Sequence, residues 1–222
     1  MSTLSERYHA VLNALPTNVK LIAVSKTRTV DEIQALYDLG QRAFGENYPQ
    51  ELRDKQPLLP SDIEWHFIGH LQRNKVKYIS PFVHLVHAVD DRALLDELQK
   101  RALAADRSIS VLLQVHIAQE ETKHGFDADE VRALVEGWEP ARWGRLVLGG
   151  LMGMATNTDD REQVRREFEG LASLHRELHS TQGEHHPRFT ELSMGMSGDV
   201  DLAIAAGSTM VRIGSSIFGP RG

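Results

Sequence analysis

Two stretches of the 222-residue chain carry residue types that could do chemistry. Residues 20–27 read KLIAVSKT, an apolar run closed by Lys26, although lysine is among the residues least often placed inside a protein. An amine at the mouth of an apolar site is partly desolvated, which frees its neutral form to attack a carbonyl carbon. The alternative is a lysine that snorkels from a strand end to water. Residues 210–219 read MVRIGSSIFG, an apolar strand pattern that stops at Gly214, Ser215 and Ser216. Backbone amides at such a glycine approach a ligand closely, and with a following helical turn they form a phosphate cradle. Arg212 precedes Gly214 by two residues, so strand alternation turns both to one side. An inward guanidinium only donates hydrogen bonds and needs either an acidic neighbour or an acceptor atom on a ligand.

Other signals point away from chemistry. HRELH sets His175 and His179 four residues apart, with His185 and His186 beyond, but Arg176 breaks the HExxH order. On so charged a helix the pair is expected to face solvent, and no metal site is expected. LQRNKVK carries Arg73, Lys75 and Lys77, with Tyr78 the adjoining aromatic. The formal charge of -6 nevertheless argues against nucleic acid or an anionic membrane as partner. With no cysteine, disulfides, thiolate metal sites and thiol nucleophiles are excluded, which suits a reducing compartment. The first fifteen residues form a charged helix pattern rather than a signal peptide, and no run reaches membrane-spanning length, so a cytoplasmic protein is expected.

The elements that must position these residues follow from the apolar pattern. Eight strand-like runs occur: 21–25, 42–47, 64–70, 85–90, 111–117, 146–152, 189–195 and 210–216. Segments such as VDEIQALYDLG, DDRALLDELQKRALAA, DADEVRALVEGW and DREQVRREFEGLASLHRELH lie between them, with helical spacing and acidic N-cap residues. Strands alternating with helices predict a parallel sheet, and eight units predict one (β/α)8 barrel over residues 1–222. A doubly wound sheet is the alternative, but the turn after the first run, SKTRTVDE, lacks its glycine pattern. Barrel chemistry gathers at the carboxyl ends of the strands, and phosphate is often held by the loops after strands 7 and 8. Lys26, Asn47, Tyr48, His70, Ser193 to Ser197 and Gly214 to Ser216 all fall at such ends.

An amine, a phosphate cradle and an inward cation together describe pyridoxal 5'-phosphate (PLP): aldehyde on Lys26, phosphate on Gly214 and Ser215, ring nitrogen facing Arg212. The segments AVSKT (23–27), FGENYPQE (44–51), WHFIGHLQRNK (65–75), LLQVHIAQEETKHGF (112–126), GLMGMA (150–155) and ELSMGMSGDVDLAIAAGSTMVRIGSSIFGPR (191–221) support this. In that order the chain resembles the pyridoxal phosphate homeostasis proteins, single-barrel relatives of the alanine racemase amino-terminal domain. The resemblance implies a Schiff base on Lys26, a cofactor contact from Asn47, phosphate held by Ser193, Gly214 and Ser215, and Arg212 at the pyridine nitrogen. It further implies a role in PLP supply and buffering, with PLP-dependent client enzymes as partners and no established catalysis. Where the family often has Thr-Ala, Ser215 and Ser216 stand here, and a serine hydroxyl keeps the donor. His116 and His124 also depart from the family pattern, with no consequence assigned.

A slow amino-acid racemase or related lyase is the alternative. Against it, a charged arginine does not protonate the ring nitrogen, which makes the cofactor a poorer electron sink. Racemisation also needs two bases, and in the alanine racemases one is a tyrosine from a second domain. The chain reaches only Gly222 after the last strand, so no such domain is expected. Tyr48, beside Pro49, is expected to pack rather than to act. A monomer is expected, since no long exposed apolar stripe stands out.

Overall fold

The computed structural model describes residues 2–120 and 124–220. Eight parallel strands follow one another around a closed barrel: β1 (Lys20–Val24), β2 (Ala43–Glu46), β3 (Glu64–Phe67), β4 (Leu85–Val89), β5 (Ile109–Val115), β6 (Leu146–Gly153), β7 (Glu191–Ser193) and β8 (Met210–Ile213). Closure comes from Lys20–Ala23 pairing in register with Met210–Ile213, which decides for the barrel over the open sheet. The helices are α1 (Leu4–Ala14), α2 (Val30–Asp38), α3 (Pro49–Lys55), α4 (Arg92–Ala104), α5 (Ala128–Glu136), α6 (Pro140–Trp143), α7 (Arg161–Gln182), α8 (Val200–Ala206) and α9 (Ser215–Phe218). Between β3 and β4 the crossover is a 3-10 turn, Arg73–Tyr78.

Local chemistry starts the helices. Thr3 with Glu6, Thr29 with Glu32 and Asp127 with Glu130 form reciprocal capping boxes at α1, α2 and α5, the signature of a short polar residue three before a glutamate. Two apolar layers then hold the sheet. Phe44, Trp65, Phe67, Val111 and Phe168 belong to the layer between strands and helices. Ile22, Ala43, Leu85, Leu112, Met152 and Met210 fill the barrel interior. Each fully buried large side chain contributes about 1.5–3 kcal/mol.

All eight sequence windows contain a strand, but five of the strands are shorter than their windows, those of 42–47, 64–70, 85–90, 189–195 and 210–216. The window 189–195 keeps only Glu191–Ser193, and the last strand stops at Ile213 so that Ser215 opens α9. Gly150 shows what the register demands: its φ is 145°, and a Cβ there would lie 1.9 Å from the Glu191 carbonyl oxygen. Among the described residues no helix is long and apolar enough to cross a membrane.

Candidate functional site

Alternation along β1 aims Lys26. Leu21 and Ala23 pack outward against the helices while Ile22 faces the interior, so Val24 and Lys26 share the interior side at the mouth. Lys26 is half-buried. Its neighbours are fixed from outside the barrel. The Ser25 hydroxyl donates to Glu46 Oε1 at 2.7 Å. Lys55 Nζ donates to the same oxygen at 2.8 Å, to the Ser25 carbonyl at 2.9 Å and to Glu51 at 2.6 Å. Glu46 is wholly buried, and burial pushes its pKa up against the pull of Lys55. On the far side, Thr27 takes φ 63°, with its N–H donating to Glu51 at 2.7 Å. A β-branched residue rarely adopts that left-handed conformation, so the turn directly after Lys26 is strained.

Asn47 follows β2 and is half-buried, with Oδ1 shielded from solvent and lacking a hydrogen-bond partner. The strand-3 loop presses on its backbone: a Cβ on Gly69 would lie 2.5 Å from the Asn47 carbonyl oxygen. Tyr48 departs from expectation. It is 54% exposed rather than packed, because Pro49 starts α3 and turns the chain while Tyr48 serves only as its N-cap.

Arg212 points into the barrel and is 4% exposed. It donates to Ser193 Oγ at 2.7 Å, to the Ser193 carbonyl at 2.9 Å and to the Gly153 carbonyl at 3.1 Å. Burial pushes its pKa down to about 10, opposed by Asp199, so it stays charged at neutral pH. Ser193 therefore differs from the expected phosphate residue. It is wholly buried and pairs in register with Met210, five residues before Ser215, or roughly 16 Å down the strand at about 3.3 Å per residue. Its hydroxyl serves Arg212 above and His87 Nδ1, 2.9 Å away. His87 Nε2 lies 2.8 Å from His66 Nδ1. Burial lowers both imidazole pKa values, that of His66 to about 4, so each neutral ring has one donor and one acceptor nitrogen.

Gly214 ends β8 where a Cβ would lie 3.1 Å from the Val24 carbonyl oxygen. The first amides of α9 have no acceptor within the helix. Ser215 is exposed there, its hydroxyl 3.3 Å from that of Ser197 in the strand-7 loop. Ser197 thus takes the rim position expected of Ser193. A cavity of about 560 Å³ opens between the loops after β6 and β7, lined by Met154, Met196 and Asp199 among others.

The structure thus brings Lys26 and Asn47 together through the Ser25–Glu46–Lys55 brace, and Arg212 with Ser193 through a shared hydroxyl. Three participants escaped sequence reasoning. Nothing in the spacing couples Lys55 to Glu46, but His66 and His87 had a signal: each is a polar residue inside an apolar strand, in WHF and VHA. Of the α7 histidines, His179 faces solvent as expected while His175, stacked on it at 6.3 Å, is half-buried. His175 stacks on Phe189 at 5.2 Å with a buried Nε2, and His179 Nδ1 lies 2.9 Å from the Phe189 carbonyl oxygen. His185 is exposed, and His186 Nε2 lies 3.1 Å from the Val135 carbonyl oxygen. Of the QEETKHGF stretch and the GPR end, residues 121–123 and 221 lie outside the described residues.

The profile of the family described as "Alanine racemase, N-terminal domain" matches residues 1–222. A "Pyridoxal phosphate homeostasis protein" of Vibrio alginolyticus is 41% identical over 211 residues, 93% of this chain and 88% of that one. Its namesake in Escherichia coli K12 is 40% identical over 213 residues, 93% of this chain and 87% of that one. PipY of Synechococcus elongatus, solved without PLP, superposes with a TM-score of 0.90 at 35% identity, over 98% of this chain and 100% of its own. PipY solved with PLP bound gives 0.85 at 34% identity, with the same coverage. An alanine racemase from Bartonella henselae shares the fold at TM-score 0.70 and 14% identity, this chain covering 60% of its length. On these matches and on the closed barrel described above, the chain belongs to the alanine racemase N-terminal domain family, among its pyridoxal phosphate homeostasis proteins.

Proposed function

We propose that the chain binds PLP at the barrel mouth, as a Schiff base on Lys26. In this reading it acts in the cytoplasm as a monomeric carrier or buffer in PLP homeostasis, serving PLP-dependent client enzymes without catalysis of its own. One observation carries the reading: the buried Arg212 guanidinium, whose hydrogen bonds go to the neutral oxygens of Ser193 and Gly153. A buried cation is expensive unless balanced; Asp199 offsets part of that cost without a hydrogen bond to the guanidinium, and an anionic ligand at the mouth offsets more. The PLP-bound PipY, covered along its whole length, supports the same choice. The other residues fit. The Asn47 amide, whose shielded oxygen lacks a partner, can turn to offer Nδ2 to a ligand oxygen. The amides opening α9, with the hydroxyls of Ser215 and Ser197, suit phosphate oxygens. Ser193 fastens Arg212 rather than the phosphate.

Bound PLP would supply an electrophilic aldehyde and an electron-withdrawing ring. Arg212, charged and held by Ser193, keeps its protons and so would leave the ring nitrogen of bound PLP unprotonated, making it a weaker electron sink. Among the described residues the exposed Leu12, Leu58, Leu103 and Met196 lie on separate segments and form no stripe, which supports the monomer. Tyr48, exposed directly after Asn47, favours a second reading in which it serves as a base of a slow racemase.

Absorption spectroscopy tests both. PLP added to the wild-type chain is expected to give a visible band that Lys26→Ala lacks, and borohydride reduction with peptide mapping is expected to place the pyridoxyl group on Lys26. An adduct mapped to another lysine overturns the site. Exchange of the alanine α-proton in deuterated buffer well above that of free PLP, and lost in Tyr48→Phe, overturns the carrier in favour of the racemase.

A further inference from the structure

At the end of the barrel opposite Lys26, three side chains converge that the cofactor reading does not use. Glu64 and His66 lie two apart on β3 and face the same way by alternation. His84 precedes β4, its N–H donating to the Trp65 carbonyl at 2.8 Å, which swings its ring to 5.4 Å from that of His66. One ligand atom from each of Glu64, His66 and His84 lies within 4.8 Å of the other two.

The arrangement leaves one polar atom without a partner. His66 is wholly buried, and its Nε2 makes no hydrogen bond. That nitrogen aims at Glu64 Oε2 from 3.9 Å, beyond hydrogen-bond reach but close to the spacing of two ligands around one small metal ion. The ring cannot turn away, because Nδ1 is held by His87 Nε2 at 2.8 Å and His87 in turn by Ser193. A metal-binding histidine is commonly fixed in this manner through its other nitrogen.

We propose that Glu64, His66 and His84 form a binding site for a divalent transition metal of the zinc class at the floor of the barrel. Two imidazoles and a carboxylate are a zinc-type donor set with a fourth position left for water. A cavity of about 300 Å³, lined by Lys20, His84, Ser110 and Glu191 among others, opens at this floor and gives the ion a path. Lys20 now neutralises Glu64, and its side chain, 39% exposed, is free to swing into water as the ion takes its place. Metal at Nε2 puts the His66 proton on Nδ1, which points the His66–His87 hydrogen bond towards Ser193.

Calorimetric titration of the chelator-stripped full chain with zinc chloride tests the site, with magnesium chloride as control. One zinc per chain is expected to bind and magnesium not to. His84→Ala and Glu64→Gln, both at the rim, are each expected to weaken zinc binding at least tenfold while unchanged circular dichroism shows that they fold. A second cluster, His70, Asp90 and His124, also brings ligand atoms within 4.8 Å of one another at the other end, so His124→Ala serves as the counter-variant and is expected to bind zinc normally. No zinc uptake by the wild type, or uptake undiminished in both floor variants, overturns the proposal. So does uptake abolished by His124→Ala, which would move the ion to the mouth.

Discussion

Thr27 holds φ 63° directly after the lysine, tied by its N–H to Glu51. A left-handed non-glycine residue costs about 1–2 kcal/mol, and such strain collects where a chain is held in a working geometry. Thr27→Gly is expected to raise unfolding free energy in urea by about 1 kcal/mol while loosening Lys26 and weakening PLP binding severalfold. Equal affinity in the two proteins would dissociate the strain from the site. At this scale the sequence was informative where chemistry is local. Lys26 after an apolar run and Arg212 two before Gly214 are visible as strings, because side-chain alternation has a period of two. The depth of Ser193 was hidden, since its distance from Ser215 depends on how β7 pairs with β8.

Element by element, periodicity located every strand but not every role. The helix α7 carries His175 on its half-buried flank against Phe189, where burial, reinforced by His179 and Arg176, lowers its pKa to about 4. The folded chain then resists protonation that the unfolded chain accepts from about pH 6.5 downward. Stability from this group is full above pH 6.5 and is lost as pH falls towards 4, by roughly 2–3 kcal/mol. His175→Phe is expected to remove that share of acid sensitivity, read as a smaller drop in urea midpoint between pH 7 and pH 4. An unchanged drop would place the sensitivity in other groups. Two of the three cations of LQRNKVK have a local role: Lys75 and Lys77, with Arg53 of α3, surround the Tyr78 ring at 5.0–5.6 Å, a contact between α3 and the 3-10 turn that no linear pattern announces.

For the whole molecule, a ligand that binds only the folded barrel stabilises it by mass action. With PLP at about 100 times its dissociation constant the gain is about 2.7 kcal/mol, which for a chain of this size is roughly 5–10 °C in Tm. Calorimetry is expected to show this rise for the wild type and a much smaller one for Lys26→Ala; an equal rise in both would detach the lysine from binding. Composition and periodicity by themselves determined an α/β chain of eight repeating units, its strand positions, and the residues at the strand ends, because each is set by neighbours a few residues apart. Closure of β1 on β8, the brace from Lys55 to Glu46, the Arg212–Ser193–His87–His66 line through the interior and the histidine cluster at the floor were decided by tertiary structure alone. They depend on register between strands far apart in sequence, and register is fixed only when all eight strands close together.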